Sequence, residues 1–164
     1  MGGNKYSYFL FLLLAVGITA CSGSKMITSA YTPEEITRAI TDDRWLFAAH
    51  YALPTYGRSR DVAGYYDIKC RKDTLSVVMP YFGKSNTTVA PGSSESPLNF
   101  QSRKFNIKKE EKTMGEWIVT ITPEDYPEVR NMIFSFFSNG SAQLSVAMST
   151  RTNINFTGYV SPLK

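Results

Sequence analysis

From Trp45 to the C-terminus the chain alternates apolar and polar side chains with a period of two, and this habit limits what it can fold into. In WLFAAHYAL the set Trp45, Phe47, Ala49, Tyr51 and Leu53 faces one way, and Leu46, Ala48, His50 and Ala52 face the other. Successive side chains of a strand point to opposite faces of a sheet, whereas one face of a helix needs a repeat near 3.6. The alternation recurs in the two halves of GYYDIKCRKDTLSVVMPYF, joined at Lys72 and Asp73, and again in NFQSRKFNIKK, EWIVTIT, VRNMIFSFFS, AQLSVAMS and INFTGYV. Asn139 and Gly140, between MIFSFFS and AQLSVAMS, form the strongest short hairpin signal, a two-residue turn with positive φ. The pattern predicts about eight strands joined mostly by short links, and such links make sequential strands antiparallel neighbours. The expected fold is mainly β: a curved antiparallel meander that is barrel-like, in the manner of lipocalins, or folds over as a sandwich. Alternation alone does not separate the two.

One helix precedes the strands. In YTPEEITRAITDDR, Thr32 is placed to cap, Pro33 takes the first helical position and Glu35 completes a capping box. Ile36, Ala39 and Ile40 then share a face. Among the strands, GKSNTTVAPGSSESP, residues 83 to 97, is a loop within a domain, rich in Ser, Thr, Gly and Pro and poor in anything that forms a core.

The N-terminus reads differently. MGGNKYS carries one cation, Lys5, and no acid, and the run from Tyr8 to Gly17 is apolar throughout. That is the plan of a signal peptide, and a run of about ten residues falls short of the roughly 20 needed to cross a bilayer as a helix. Ile18, Thr19 and Ala20 lead into Cys21, a segment that resembles the lipobox of bacterial lipoproteins. The resemblance implies cleavage between Ala20 and Cys21 and diacylglycerol attachment to the Cys21 thiol. It divides the chain into a signal peptide (1–20), a lipidated tether (21–30) and a single β-rich domain (31–164). It also places the domain in the cell envelope, lipid-anchored, on the periplasmic face of the outer membrane, since no acidic cluster follows the cysteine. With Cys21 acylated, Cys70 has no partner for an intramolecular disulfide. Cys70 alternates with Tyr66 and Ile68 and reads as a small buried hydrophobe.

Beyond residue 20 the chain carries 17 Lys and Arg against 14 Asp and Glu, because Lys5 is the only charge removed from the total of 18 and 14. The cations are scattered, so no nucleic-acid footprint is expected.

ALPTYGRSRDVAGYYDIKCRKDTLSVVMPYFG, with Pro54, the GRSR of Gly57 to Arg60, Tyr66 and the PYFG of Pro80 to Gly83, is similar to a Bacteroidota lipoprotein family of unknown function, domain of unknown function 4251. NGSAQLSVAMSTRTNINFTGYV resembles the family's ending. One departure is Lys72, where such hairpins often have Gly; a positive φ there would strain the lysine. The resemblance implies a location and a fold and brings no activity with it.

No catalytic constellation stands out. His50 is the only histidine, so no zinc-ligand spacing exists, and neither a nucleophile elbow nor a cofactor motif is present. The carboxylate pairs Asp42 with Asp43, Glu110 with Glu111 and Glu124 with Asp125 fall in turns or at a helix end. Arg58 and Arg60 lie near Tyr56, Tyr65, Tyr66, Tyr81 and Phe82. Guanidinium forks suit carboxylates and phosphates, and aromatic rings suit sugars or lipids. The favoured reading of the same arginines is that Arg58 or Arg60 pairs with Asp61 or another acid and pins the loop, and the favoured reading of the same aromatics is core or cross-strand packing. The candidate binding residues are therefore Arg58, Arg60, Tyr66, Tyr81 and Phe82, with no catalytic residue, metal or cofactor assigned. The expected role is binding a small ligand or a protein partner at the envelope, with the membrane engaged through the N-terminal lipid. A hydrolase of envelope glycans or lipids and a ligand-free structural component are the alternatives.

Overall fold

The computed structural model describes residues 30–84, 96–113 and 115–163. The segment expected as a signal peptide, Ala20, Cys21, most of the expected tether and most of the loop expected over 83 to 97 lie outside these residues. The helix forms as its caps dictate. α1 spans Pro33–Thr41, the Thr32 hydroxyl accepts from Glu35 N–H (3.3 Å), and the Glu35 carboxylate accepts from Thr32 N–H (2.8 Å). Ile36, Ala39 and Ile40 are its buried residues.

The strands are β1 (Trp45–Pro54), β2 (Arg60–Asp61), β3 (Asp67–Arg71), β4 (Thr74–Val78), β5 (Asn99–Ser102), β6 (Phe105–Thr113), β7 (Glu116–Pro123), β8 (Val129–Phe137), β9 (Ser141–Met148) and β10 (Ile154–Pro162). They make one antiparallel sheet, ordered β5-β4-β3-β1-β10-β9-β8-β7-β6 with β2 paired to β1, and curl into a half-barrel. A sandwich is thus not what the meander forms. Ten strands replace the expected eight because β2 adds a short pairing and NFQSRKFNIKK is two strands rather than one. β5 and β6, the two ends of the strand order, are joined by Arg103 and Lys104 alone. Asp125 holds that corner, accepting from Arg103 N–H (3.0 Å), Lys104 N–H (3.2 Å) and the Ser102 hydroxyl.

β1 does not keep the simple alternation. Ala49 opposes Gly158 and Tyr51 opposes Thr157, so His50 is an extra residue in the ladder. This bulge inverts the faces: Trp45, Phe47 and Ala49 are buried, but beyond His50 it is Ala52 that is buried, while Tyr51 and Leu53 are exposed. Opposite it, residue 158 must be glycine, since a Cβ there would overlap the Ala48 carbonyl oxygen.

Two turns also differ from expectation. β8 and β9 are joined by three residues, Ser138 to Gly140, with a Gly140 N–H to Phe137 carbonyl bond of 2.9 Å. Only Gly140 takes positive φ (83°) there, and the Asn139 carboxamide accepts from Ser141 N–H (2.9 Å). This is the three-residue hairpin with a left-handed last residue, chosen over the two-residue turn because the Asn139 side chain closes an Asx turn onto Ser141. At Lys72–Asp73 neither residue has positive φ, so the feared strain on Lys72 does not arise.

The hollow of the half-barrel is filled. Trp45 meets Phe134 and Phe136 edge-on at 4.9 Å, and Phe47 meets Phe134 at 5.8 Å. Leu75, Ile121, Leu144, Phe156 and Cys70 complete one continuous buried cluster.

Candidate functional site

The turns divide between two ends. α1, the β3–β4 turn and the β8–β9 turn sit where β1 begins and β10 finishes, while the β1–β2, β4–β5, β7–β8 and β9–β10 links gather at the opposite rim. The rim brings together the segments that carry the GRSR and PYFG motifs. The guanidinium of Arg60 lies over the Phe82 ring, 4.5 Å from its centre. Lys84 lies 5.8 Å from the Tyr56 ring and Arg151 lies 5.6 Å from the Tyr81 ring. Each is within the range where a cation is drawn to the face of an aromatic ring.

Hydrogen bonds hold these pairs in place. The Tyr81 hydroxyl donates to the Thr152 carbonyl (2.7 Å), Lys84 N–H donates to the Thr152 hydroxyl (3.1 Å), and Thr152 N–H donates to the Lys84 carbonyl (3.0 Å). The Thr55 hydroxyl donates to the Asn153 carbonyl (2.6 Å), which fastens the β1–β2 loop to the same link. Gly83 fits this knot because a Cβ would overlap the Tyr81 and Thr152 hydroxyls.

Of the candidate residues, Arg60, Phe82 and Tyr81 meet at the rim. Arg58 is exposed there and has no hydrogen-bond or ion-pair partner among the described residues. Tyr66 is turned to the core beside β1, and its carbonyl accepts from Ala49 N–H (3.0 Å). Asp61 does not pin the arginines; its carboxylate accepts from Ala63 N–H (3.0 Å) in a local turn. Three rim residues were not among the candidates. Tyr56 and Lys84 flank the quoted motifs, and Arg151 belongs to the second resembling block, so only long-range pairing unites them.

Below the rim, Phe100 stacks on Tyr126 with ring centres 4.0 Å apart, and the Tyr126 hydroxyl donates to the Pro97 carbonyl (2.8 Å). Burial, with the Glu128 carboxylate nearby, raises the Tyr126 phenol above its ordinary value of 10.0. Arg151 Nε stands 3.9 Å from Glu128, too far for a hydrogen bond, and both atoms are buried without another partner.

One member of each carboxylate pair has a structural partner. Asp43 pairs with Lys109 (3.0 Å), Glu110 pairs with Lys112 (3.0 Å), and Asp125 clamps the β5–β6 corner. The Ser102 hydroxyl first, then the Arg103 N–H, holds the Asp125 carboxyl below its ordinary 3.8. Burial, and then the Asp43 charge, pushes the Cys70 thiol from 9.0 up to about 12, so it stays a protonated core residue. No cluster of three or more His, Cys, Asp or Glu suited to a metal ion occurs among the described residues.

The fold has a solved counterpart. A crystal structure of a DUF4251 family protein from Bacteroides eggerthii superposes with a TM-score of 0.56 at 11% sequence identity, covering 79% of this chain and 87% of that one. At that identity the likeness concerns the fold alone. No curated protein matches the chain. The sequence profile of a domain of unknown function, DUF4251, matches residues 29–160, which is most of the chain and runs from before α1 into β10. By that match, the chain belongs to the DUF4251 family.

Proposed function

We propose that this chain is a lipoprotein of the cell envelope, cut before Cys21, acylated there and held on the periplasmic face of the outer membrane. There its rim binds carboxylate or phosphate groups of an envelope ligand or partner. The observation that carries the binding reading is Arg60, whose guanidinium lies over the Phe82 ring with no acid paired to it among the described residues. A guanidinium drawn to a ring face is restrained there without spending its N–H groups on an acid, and those groups form the bidentate fork that carboxylates and phosphates fit. Arg58 and Lys84 add charge on either side. Binding at the rim also agrees with the filled interior, which leaves a lipocalin-like ligand nowhere to sit.

The tether would join the domain beside α1, at the end away from the rim. The ten residues of β1 separate the two ends, roughly 30 Å at the usual strand rise. On this reading the rim lies at the end of the domain opposite its anchor, open to partners in the periplasm.

Two measurements test the reading. Cys21→Ala is expected to move the chain from the detergent phase to the aqueous phase on partitioning; unchanged partitioning overturns the anchor. Titration of the full chain with inorganic phosphate and with trigalacturonate is expected to show salt-sensitive binding that Arg58→Gln with Arg60→Gln weakens about tenfold, a loss of ~1.4 kcal/mol. Binding that is indifferent to both substitutions removes the rim from the function.

A further inference from the structure

The His50 bulge makes a second feature, on the outer face of the sheet, with none of the rim's cations in its lining. By inverting β1 it turns the Tyr51 ring outward against His50, with centres 4.6 Å apart and planes at 89°. Tyr159 of β10 approaches the same imidazole at 6.0 Å. These three rings edge an open cleft of about 230 Å³ that also reaches β9. Gly158 and Ala142 lie at its base. Thr157 and Gln143 form its polar wall, and neither side chain has a hydrogen-bond partner among the described residues. No Asp, Glu, Lys or Arg lines the cleft.

We infer that this cleft is a binding site for a neutral sugar residue, as part of a neutral oligosaccharide. The size suits one ring. Tyrosine offers a flat apolar face with a polar edge, which matches the C–H face and the hydroxyl rim of a pyranose. The free hydroxyl and carboxamide supply the few orienting hydrogen bonds such a site needs. The absence of Asp, Glu, Lys and Arg from the lining favours a neutral ligand: a carboxylate or an ammonium would find no acidic or strongly basic side chain to pair with here, whereas a polyol exchanges its water for Gln143, Thr157 and the ring edges. The site is independent of the rim reading, because it uses different residues on a different face.

The test is calorimetric titration of the full chain in a zwitterionic detergent with maltotriose, cellotriose, mannotriose and tri-N-acetylchitotriose, and with trigalacturonate as the charged comparator. At least one neutral trisaccharide is expected to bind, and Tyr51→Ala or Tyr159→Ala should weaken it about tenfold. Both tyrosines are well exposed, at 42% and 38%, so truncating them leaves the core in place. Gln143→Ala, also at an exposed position, is expected to weaken binding severalfold by a separate route, and Arg60→Gln should leave it unchanged. The inference is overturned if no neutral trisaccharide binds, or if binding survives both tyrosine truncations. It is equally overturned if Arg60→Gln abolishes binding, an outcome that would assign the sugar to the rim.

Discussion

At the scale of single residues, two positions show how backbone proximity and burial set behaviour that composition does not reveal. Gly158→Ala would drive a methyl group into the Ala48 carbonyl oxygen. The expected loss is about 1–3 kcal/mol, as for other overpacked sites, and is readable as a lower urea midpoint with an unchanged slope. Cys70 has no exposed surface, and its thiol titrates only near about 12 against 9.0 when free. A folded value raised in this way favours the native state fully below pH 9, and the benefit is lost as pH climbs from there towards 12. Wild type is therefore expected to lose more stability over that interval than Cys70→Ala, and iodoacetamide should label Cys70 only in denaturant. The alternation of Cys70 with Ile68 made its burial legible from sequence. The constraint on residue 158 was not, because it depends on a partner more than a hundred positions away.

At the scale of elements, helix α1 was readable almost to the residue because its signals are local: cap, proline, glutamate and an apolar face three and four apart. What fastens it is not local. Lys109 of β6 donates to the Thr41 carbonyl (2.7 Å) and to Asp43 (3.0 Å), satisfying an end-of-helix acceptor and complementing the helix dipole. Lys109→Met is expected to cost about 1–3 kcal/mol by thermal denaturation, a charged hydrogen bond being worth more than a neutral one. The β5–β6 corner depends on Asp125, whose carboxyl titrates below its ordinary 3.8 when folded. A depressed value gives stability that is complete above the unfolded value and disappears as pH falls through the folded one. Asp125→Asn should therefore flatten the acid limb of the stability curve below about pH 4, a range set by the ordinary carboxylate value. The break of NFQSRKFNIKK into two strands escaped the period-two reading because both halves alternate. Only the pairing of each half with a different edge of the sheet reveals the bend.

At the scale of the whole molecule, one core holds both halves of the sheet. Phe134, in ring contact with Trp45, Phe47 and Phe136, sits at its centre. Phe134→Ala is expected to cost about 3–5 kcal/mol, measured by urea denaturation followed by circular dichroism. The mainly β meander and its single helix were legible in the sequence, while the filled hollow and the meeting of the rim residues were not. Alternation shows which residues face inward, but curvature fixes how much room they leave. The rim residues come from segments up to about a hundred positions apart and meet through strand order, which no short window contains.

The strand order also governs how neighbouring copies behave when they are crowded together. An open sheet leaves two unpaired edges, and such edges can template strand addition between molecules. Here one edge is β5, only four residues long, and the other is β6, which carries Lys108, Glu110 and Lys112 and turns Lys109 inward. Short length, fixed charge and an inward lysine all discourage edge-to-edge growth into fibrils. Copies concentrated on one surface are thus expected to remain separate, and replacing Lys108, Glu110 and Lys112 with valine should make the protein polymerise, visible as thioflavin-positive aggregates.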